Sequence, residues 1–186
     1  MELESYVRTY DNVLAPDVCK SIIEAFSKSN SEYIDREQRP AFTHLNISKP
    51  YKENDILWVK HHDTIMNVFD EYIEKYVASL DCGPDFPFNS SYEEFRMKRY
   101  ENDGHDQFKD HVDVQDHPTS RRMLAMFIYL NDVSEGGETY FPKLDLKITP
   151  RCGKLLIFPP LWMFRHAGLP PVSNEKYIIG SYLHYL

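Results

Sequence analysis

The sequence predicts an α+β fold in which helices from the first half of the chain brace a β-sandwich or barrel formed by the second half. Two stretches before residue 91 carry apolar residues at helical spacing. From residue 92 onward the pattern changes to short strand-like runs separated by Gly and Pro turns. With 186 residues the chain fits one domain, in which we expect residues 1–91 to support a functional core formed by residues 92–186.

The helices are predicted from the spacing of apolar residues. After a strand-like start at residues 6–10, Pro16 opens a first helix. A second helix is predicted over about residues 64–80, with Asp63 as its N-cap and an apolar stripe that packs against a sheet. Residues 33–60 mix charges and prolines with strand-like pieces, so they receive no detailed prediction.

The strands follow a linker, residues 81–91, which is recognised by its Gly and Pro residues. Beyond the linker, runs of apolar and aromatic residues predict five strands, and Gly-Gly, Asp-Gly and Pro-Pro pairs predict turns between them. The predicted strands cover residues 92–100, 122–130, 138–141, 154–158 and 177–186.

Charge and composition restrict the partners and the cellular location. The net charge of −8 argues against a nucleic-acid partner, because proteins that neutralise phosphates usually have a basic face. Cys19, Cys82 and Cys152 are odd in number and widely spaced, which predicts buried thiols in a reducing cytoplasm. Acidic residues stand where a signal peptide would carry basic ones, and no apolar run reaches the length of a membrane span. We therefore expect a cytoplasmic protein with no membrane partner.

A first candidate metal motif is His111-Val112-Asp113. In a strand, residues two apart point to the same face, so this His and Asp can hold one ion together. The pattern is weak by itself, because His61-His62-Asp63 contains it too and a polar strand end would look the same.

A third candidate ligand, His166, follows an apolar strand and a Pro-Pro turn. Two histidines and one carboxylate would occupy one face of an octahedron and leave three adjacent positions open, as non-haem Fe(II) enzymes require. Lys176 lies ten residues further on, and a lysine buried beside this site would need an anion; the alternative is an ordinary surface lysine. His184 is a less suitable third ligand because no basic residue follows it.

Together these residues resemble the Fe(II)/2-oxoglutarate oxygenases, in particular the prolyl 4-hydroxylase branch. The pattern of that branch is H-x-D, then G-G-x-T-x-F-P, then a His with a basic residue ten positions later. Residues 136–142 read G-G-E-T-Y-F-P, and His166 is followed by A-G-L-P-P-V and by Lys176. The resemblance covers residues 92–186 well, and it implies a double-stranded β-helix (jelly-roll) core braced by N-terminal helices.

The resemblance also implies the cofactors and their ligands. His111, Asp113 and His166 would hold Fe(II), and 2-oxoglutarate would chelate the iron while its far carboxylate pairs with Lys176. Tyr129 and Tyr100 match positions where related hydroxylases place tyrosines near the co-substrate, although both could be core aromatics. O2 would be the second co-substrate, and a requirement for ascorbate is left open.

The chain departs from the family pattern in two places. Its version of the first motif, Tyr100-x3-Gly104-x3-Phe108-x2-His111-x-Asp113, has two extra residues and a phenylalanine in place of a tyrosine. Tyr182 stands where the family often has tryptophan, and we expect it to line the substrate side of the pocket.

The resemblance implies a dioxygenase that hydroxylates a proline in a peptide or protein. We expect Leu155, Ile157 and Phe158 to exclude water from the iron. The likeliest groove-covering loop is residues 33–51, with Arg36 and Arg39, although a solvated surface connection would look similar.

Other functions remain open from the sequence. Within the enzyme class, the substrate could be another protein side chain, a free amino acid or an alkylated nucleobase. Outside it, the chain could be a non-catalytic binding module or a cupin-like metal protein, against which the retained triad and Lys176 both argue. A structural zinc domain is a third alternative, but the cysteines lack the spacing of zinc ligands.

Overall fold

The computed structural model describes residues 2–36 and 40–186, and its first half mixes helices with short strands. A 3-10 turn at Leu3–Tyr6 precedes the first strand. The elements that follow are β1 (Arg8–Tyr10), α1 (Pro16–Ser27), β2 (Glu32–Asp35), β3 (Ala41–Asn46), α2 (Ser48–Lys52) and α3 (Ile56–Leu80).

The second half consists of strands, interrupted by 3-10 turns at Gly83–Asp85 and Trp162–Phe164. The predicted strand at residues 92–100 is divided in two, because residues 93–95 do not join the ladder. The strands are β4 (Ser90–Tyr92), β5 (Arg96–Tyr100), β6 (Phe108–His111), β7 (Arg122–Tyr129), β8 (Thr139–Phe141), β9 (Leu146–Ile148), β10 (Lys154–Phe158), β11 (His166–Gly168) and β12 (Lys176–Tyr185).

Within the described residues the strands form two antiparallel sheets, as the predicted jelly-roll requires. The major sheet has the order β1-β10-β7-β12-β5-β3-β2, and β4 pairs with the far end of β12. The minor sheet has the order β6-β11-β8-β9. The helices cover one face of the major sheet, and the minor sheet faces the other, so that two apolar cores result.

Strand β10 shows how the two cores share one sheet. Alternate side chains point to opposite faces, so Leu155 and Ile157 pack against the helices, whereas Leu156 and Phe158 face the minor sheet. The expectation that Leu155 and Ile157 shield the site is therefore wrong, and Phe158 alone of the three lies on that side.

Helix α3 begins at Ile56, eight residues before the predicted start. Its N-cap is Asp55, whose carboxylate accepts a hydrogen bond of 2.8 Å from the backbone N–H of Leu57. The prediction of Asp63 as the N-cap is wrong, because the buried stripe of the helix continues backward through His62 and Trp58. Because histidine counts as polar, His62 interrupts the apolar pattern in the sequence, and the first two turns of the helix are not predicted.

The cysteines only partly match the prediction of buried thiols. All three are free, but only Cys19 is fully buried, and Cys82 and Cys152 are half-buried. Cys19 and Cys152 are far apart in sequence but adjoin in the fold, where burial and the neighbouring thiol raise the pKa of Cys19 to about 12. Among the described helices, none combines the length and the apolar character needed to cross a bilayer.

Gly180 in β12 provides a test of the packing of the major sheet. A Cβ at this position would lie 2.4 Å from the backbone oxygen of Met126 in β7, so we expect Gly180→Ala to destabilise the fold by about 1 to 3 kcal/mol in urea unfolding. Gly83→Ala is the matched control, because its Cβ would meet only a side-chain carbon at 3.9 Å. Equal stability of the two variants would contradict the close approach of β7 and β12.

Candidate active site

Two of the predicted ligands face each other across a pair of strands in the minor sheet. His111 is the last residue of β6 and His166 the first of β11, and the two are direct partners in the antiparallel register. Asp113 follows two residues after His111, just beyond the end of the strand. The strand pairing therefore brings together ligands that are 55 positions apart in sequence, a separation that is bridged by β7 to β10.

The three side chains form a group of metal-binding geometry. One oxygen of the Asp113 carboxylate lies 3.3 Å from Nε2 of His111, and the other lies 3.6 Å from Nε2 of His166. The candidate ligand atoms all lie within 4.8 Å of one another. Ligands bonded to one iron or zinc ion at about 2.1 Å would have such separations.

Backbone carbonyls fix the tautomer of both histidines. Nδ1 of His111 lies 2.7 Å from the carbonyl oxygen of Lys109, and Nδ1 of His166 lies 3.1 Å from that of Phe164. A carbonyl can only accept, so each Nδ1 carries the proton and each Nε2 presents its lone pair to the centre of the group.

Burial also sets the ionisation that a metal requires. Burial lowers the pKa of His166 to about 4, so its imidazole is neutral at pH 7. Burial alone would raise the pKa of the Asp113 carboxyl, but His166 and His111 hold that pKa well below its usual range. Neutral imidazoles and an ionised carboxylate are the ligand forms of these side chains.

The group fits an iron site with open positions better than a structural zinc site. Within residues 2–36 and 40–186 it is the only cluster of three His, Cys, Asp or Glu side chains that could hold a metal. A structural zinc would need a fourth protein ligand, which this part of the chain does not offer. His62 of the competing motif instead stacks on Tyr51 at 3.8 Å and contacts Ser48.

Neighbouring side chains hold the ligands in place. The ring of Phe108 stacks on that of His111, with centroids 3.6 Å apart. Arg122 donates a 2.9 Å hydrogen bond to the backbone oxygen of Asp113 and pairs through two nitrogens with Glu93, each at 2.8 Å. Phe108, which stands where the family has a tyrosine, thus supports a candidate ligand by stacking.

Tyr182 lies beside Asp113 and has a second role that the sequence did not suggest. It lines the cavity, where we expected it, and its hydroxyl donates a hydrogen bond that helps to lower the pKa of the Asp113 carboxyl. The guanidinium carbon of Arg122 lies 4.0 Å above the Tyr182 ring. A cation on one side and a carboxylate on the other fix the orientation of this phenol.

The metal group opens into a cavity of about 750 Å³ between the two sheets. This volume is within the usual range for small-molecule sites. Phe158 of β10 forms part of its wall and packs edge-on against His166, with centroids 4.8 Å apart. Strands β2 and β3 also contribute to the lining, through Ile34, Phe42 and His44.

Lys176 occupies the end of the cavity away from the solvent. Its side chain is 2% exposed, and its ammonium donates a 3.0 Å hydrogen bond to the carbonyl of Gly137 and lies 4.2 Å above the Tyr100 ring. In the described residues no carboxylate lies within ion-pair distance of it. Burial lowers the pKa of Lys176 to about 7, and the nearby Lys98 adds to the shift. The site therefore has the unpaired cation that a dicarboxylate co-substrate would need.

The two predicted tyrosines lie at the same end of the cavity as Lys176. The Tyr129 hydroxyl shares a 2.6 Å hydrogen bond with Thr139, which belongs to the matched G-G-x-T motif. Both tyrosines line the cavity and are fully buried, so they could contact an anion held by Lys176. Their contact with a co-substrate stays a prediction.

The segment 33–51 is not the loop that we expected. Apart from its undescribed residues it forms β2, β3 and most of α2, and Arg36, Pro40 and Phe42 line the cavity. Arg39 lies outside the described residues. A groove-covering role for this segment stays a prediction.

Lys98 was missed by the sequence analysis, although it lines the cavity between Phe42 and Phe108. The sequence does contain one indication that Lys98 faces the cavity. It lies two residues before Tyr100 in one strand, so both side chains point to the same face.

The jelly-roll carries two imidazoles and a carboxylate on one side of an open cavity, and a buried lysine lies at the end of that cavity. This combination is typical of mononuclear non-haem iron oxygenases of the 2-oxoglutarate type. The family comparison agrees, because the model of the 2OG-Fe(II) oxygenase superfamily matches residues 95–184. The matched stretch, just under half of the chain, contains the candidate metal group and Lys176, so the chain is similar to this superfamily in the part that forms the site.

Its relatives include proteins named as prolyl 4-hydroxylases. A protein of Acanthamoeba polyphaga mimivirus, provisionally named a prolyl 4-hydroxylase, is 27% identical over 180 residues, which are 90% of this chain and 69% of that protein. The chain spans only 20% to 46% of the length of the animal and plant prolyl 4-hydroxylases that it also matches.

Solved prolyl hydroxylases share the fold. The viral collagen prolyl hydroxylase from Paramecium Bursaria Chlorella virus-1, solved with 2-oxoglutarate, has a TM-score of 0.68 and 24% identity, with 97% of this chain and 96% of that chain covered. A Trichoplax adhaerens prolyl hydroxylase, solved with a peptide fragment of the hypoxia inducible factor oxygen degradation domain, has a TM-score of 0.71 at 13% identity, with 97% and 84% covered.

Removal of one ligand tests the metal group. We expect Asp113→Ala to weaken binding of Fe(II) or Co(II) by at least about 100-fold, because the carboxylate would be a direct ligand. Loss of a residue that only supports a ligand already costs about 10- to 100-fold. Titration calorimetry and the absorption spectrum of bound Co(II) would measure it. His61→Ala is the control from the competing motif, and equal metal affinity in both variants would contradict the site.

Proton uptake tests the environment of Lys176. At pH 8 a lysine with a pKa of about 7 is mostly neutral, and a bound carboxylate raises that pKa. We therefore expect 2-oxoglutarate to take up about one proton when it binds the Mn(II)-loaded protein at pH 8, and its affinity to fall as the pH rises above 7. Calorimetry in buffers of different ionisation enthalpy measures the proton count. Uptake that persists in Lys176→Met would assign the proton to another group.

Proposed function

We propose that the chain is a 2-oxoglutarate-dependent dioxygenase that hydroxylates proline residues in a peptide or protein. The observation that carries the proposal is the cavity itself, which has a metal-binding group on one wall and an unpaired buried lysine at its end. A five-carbon dicarboxylate could bind both at once, and no other arrangement in the described residues offers this combination.

Each group of residues has a distinct task in this reaction. Bound iron supplies the redox chemistry, in which O2 is divided between 2-oxoglutarate, which leaves as succinate and CO2, and the C–H bond of the substrate, which becomes C–OH. His111, Asp113 and His166 would hold the iron. Lys176, with help from Tyr129, would bind the far carboxylate of the co-substrate and orient it.

Two buried phenylalanines exclude water from one side of the metal group. Phe158 lies against His166 and edge-on against Phe141, with centroids 4.9 Å apart, and both phenylalanines are fully buried. An apolar wall protects a reactive oxidant from unproductive reduction. The hydroxylation itself needs no acid or base near the substrate.

The choice of a proline substrate is supported by the relatives. The relatives described above are named for prolyl hydroxylation, and the Trichoplax enzyme of the same fold is solved with a peptide. The β2–β3 hairpin beside the cavity would form one side of a groove for an extended peptide. Hydroxylation of another protein side chain or of a free amino acid remains the alternative, and the net charge of −8 argues against a nucleic acid.

A cytoplasmic location is part of the proposal. Cys19 and Cys152 adjoin as free thiols, and free adjoining thiols are typical of reducing compartments.

Peptide-dependent turnover tests the proposed reaction. We expect the Fe(II)-loaded protein, with 2-oxoglutarate and ascorbate, to form succinate in a reaction that proline-containing peptides stimulate, and to add one oxygen atom to the proline. Mass spectrometry would locate the oxygen, and amino-acid analysis would separate 4-hydroxyproline from 3-hydroxyproline. Omission of ascorbate in a parallel series shows whether it is required.

Two variants make the test specific. His111→Ala should reduce turnover at least about 100-fold because it removes a metal ligand, whereas His61→Ala should not change it. Succinate formation that depends on His111 but on no peptide would keep the oxygenase and exclude the peptide substrate.

A further inference from the structure

The cavity contains a second lysine that the proposed reaction does not use. Lys98 lies on β5, two residues before Tyr100, and its side chain points to the same face. Its ammonium lies 4.9 Å from the centroid of the Phe42 ring and 5.4 Å from that of Phe108. Phe108 in turn stacks on the metal ligand His111. The ammonium is therefore separated from the metal group by one aromatic ring.

Among the described residues Lys98, like Lys176, has no acidic partner, whereas three arginines around the cavity do. Arg96 pairs with Glu94 at 3.3 Å. Arg122 and Arg165 pair with Glu93 at 2.8 Å and with Asp110 at 2.6 Å. Lys98 has only the two aromatic faces, which interact favourably with a cation but do not neutralise it.

The charge of Lys98 acts inside the cavity rather than on the surface. It contributes to lowering the pKa of His166 and of Lys176. Burial lowers the pKa of Lys98 itself, and the Asp113 carboxylate partly offsets this effect. Burial lowers the pKa of Lys98 to about 8, so the side chain is still mostly charged at pH 7. A half-buried charge without a counterion is costly, and a bound anion would remove that cost.

We propose that Lys98 selects the substrate by binding a carboxylate that lies next to the residue to be hydroxylated. This inference rests on the proposed function, and it names the substrate class as acidic proline-containing peptides. The carboxylate would come from an Asp or Glu side chain, or from the end of a peptide that terminates at or just after the proline.

The position of Lys98 favours the substrate over the co-substrate. Lys176 already supplies a cation at the closed end of the cavity, whereas Lys98 lies between Phe42, from the β2–β3 hairpin, and Phe108, which stacks on His111. An extended peptide advances about 3.3 Å per residue, so a carboxylate one or two positions from the target residue could span the width of one aromatic ring. The acidic surface of a protein with net charge −8 would repel such peptides elsewhere, which makes this cation decisive.

The test compares matched acidic and neutral peptides. The peptides would be acetylated and amidated and would contain a single proline. Glu or Gln would stand, one position at a time, at the two positions before and the two positions after the proline. A further peptide would end in a free carboxylate. Hydroxylation gives KM and kcat, and fluorescence anisotropy with Mn(II), 2-oxoglutarate and no O2 gives the Kd of each peptide. We expect at least one Glu position to lower KM and Kd by about 10-fold relative to Gln.

Three variants assign this preference to Lys98. In Lys98→Met, which keeps the apolar stem between the rings, the preference should fall below about twofold. Lys98→Arg should restore it. Lys147→Met should leave it unchanged, because Lys147 also lies over an aromatic ring, Tyr140 at 5.3 Å, but on the exposed face of the minor sheet.

The outcomes separate this inference from the function on which it rests. The role of Lys98 would be overturned, with the function intact, if acidic and neutral peptides were hydroxylated equally well. It would also be overturned if the preference for acidic peptides survived in Lys98→Met. A raised KM for 2-oxoglutarate in Lys98→Met without any effect on peptides would overturn it too and assign the lysine to the co-substrate. Acid-dependent binding with no hydroxyproline would instead overturn the function.

Discussion

The pairing of β6 with β11 is the constraint on which the site depends. These strands have four and three residues, and their register alone places His111 opposite His166. A shift of one residue would send one imidazole to the other face of the sheet, because side chains alternate. The register is fixed from both sides, since β11 also pairs with β8. The backbone carbonyls at Lys109 and Phe164 then fix which nitrogen faces the metal.

The interior of the jelly-roll is a costly place for the charges that it contains. Lys176, Asp113 and His166 are nearly inaccessible, and buried charges without full compensation reduce stability. The compensation lies on the opposite face of the major sheet, where α3 contributes Trp58 and Phe69 to an apolar core. Strands β7, β10 and β12 belong to both environments, with one face toward the helices and the other toward the cavity. The helices thus stabilise a sheet whose other face is used for binding.

Much of the site could be predicted because its signals are local or are carried by fixed spacing, such as the ten residues between His166 and Lys176. The long strands β7, β10 and β12 were predicted to within one residue at most ends, whereas β6, β9 and β11, with three or four residues each, are too short to show a period. Strand β10 reveals a different limit. Both of its faces are buried, so no polar residue marks the side on which the cavity lies, and Leu155 and Ile157 were assigned to the wrong face.

Lys98 shows why chemistry inside a cavity is hard to read from sequence, since a charged residue in a strand normally indicates solvent. Its charge also acts on the co-substrate end of the cavity, because the Lys98 ammonium lowers the pKa of Lys176. A carboxylate bound at Lys176 reduces this repulsion and favours the charged form of Lys98. On the proposed function, binding of the co-substrate would therefore prepare the second cation for its own anion. The order of co-substrate before substrate would then follow from the electrostatics of two lysines that share one cavity.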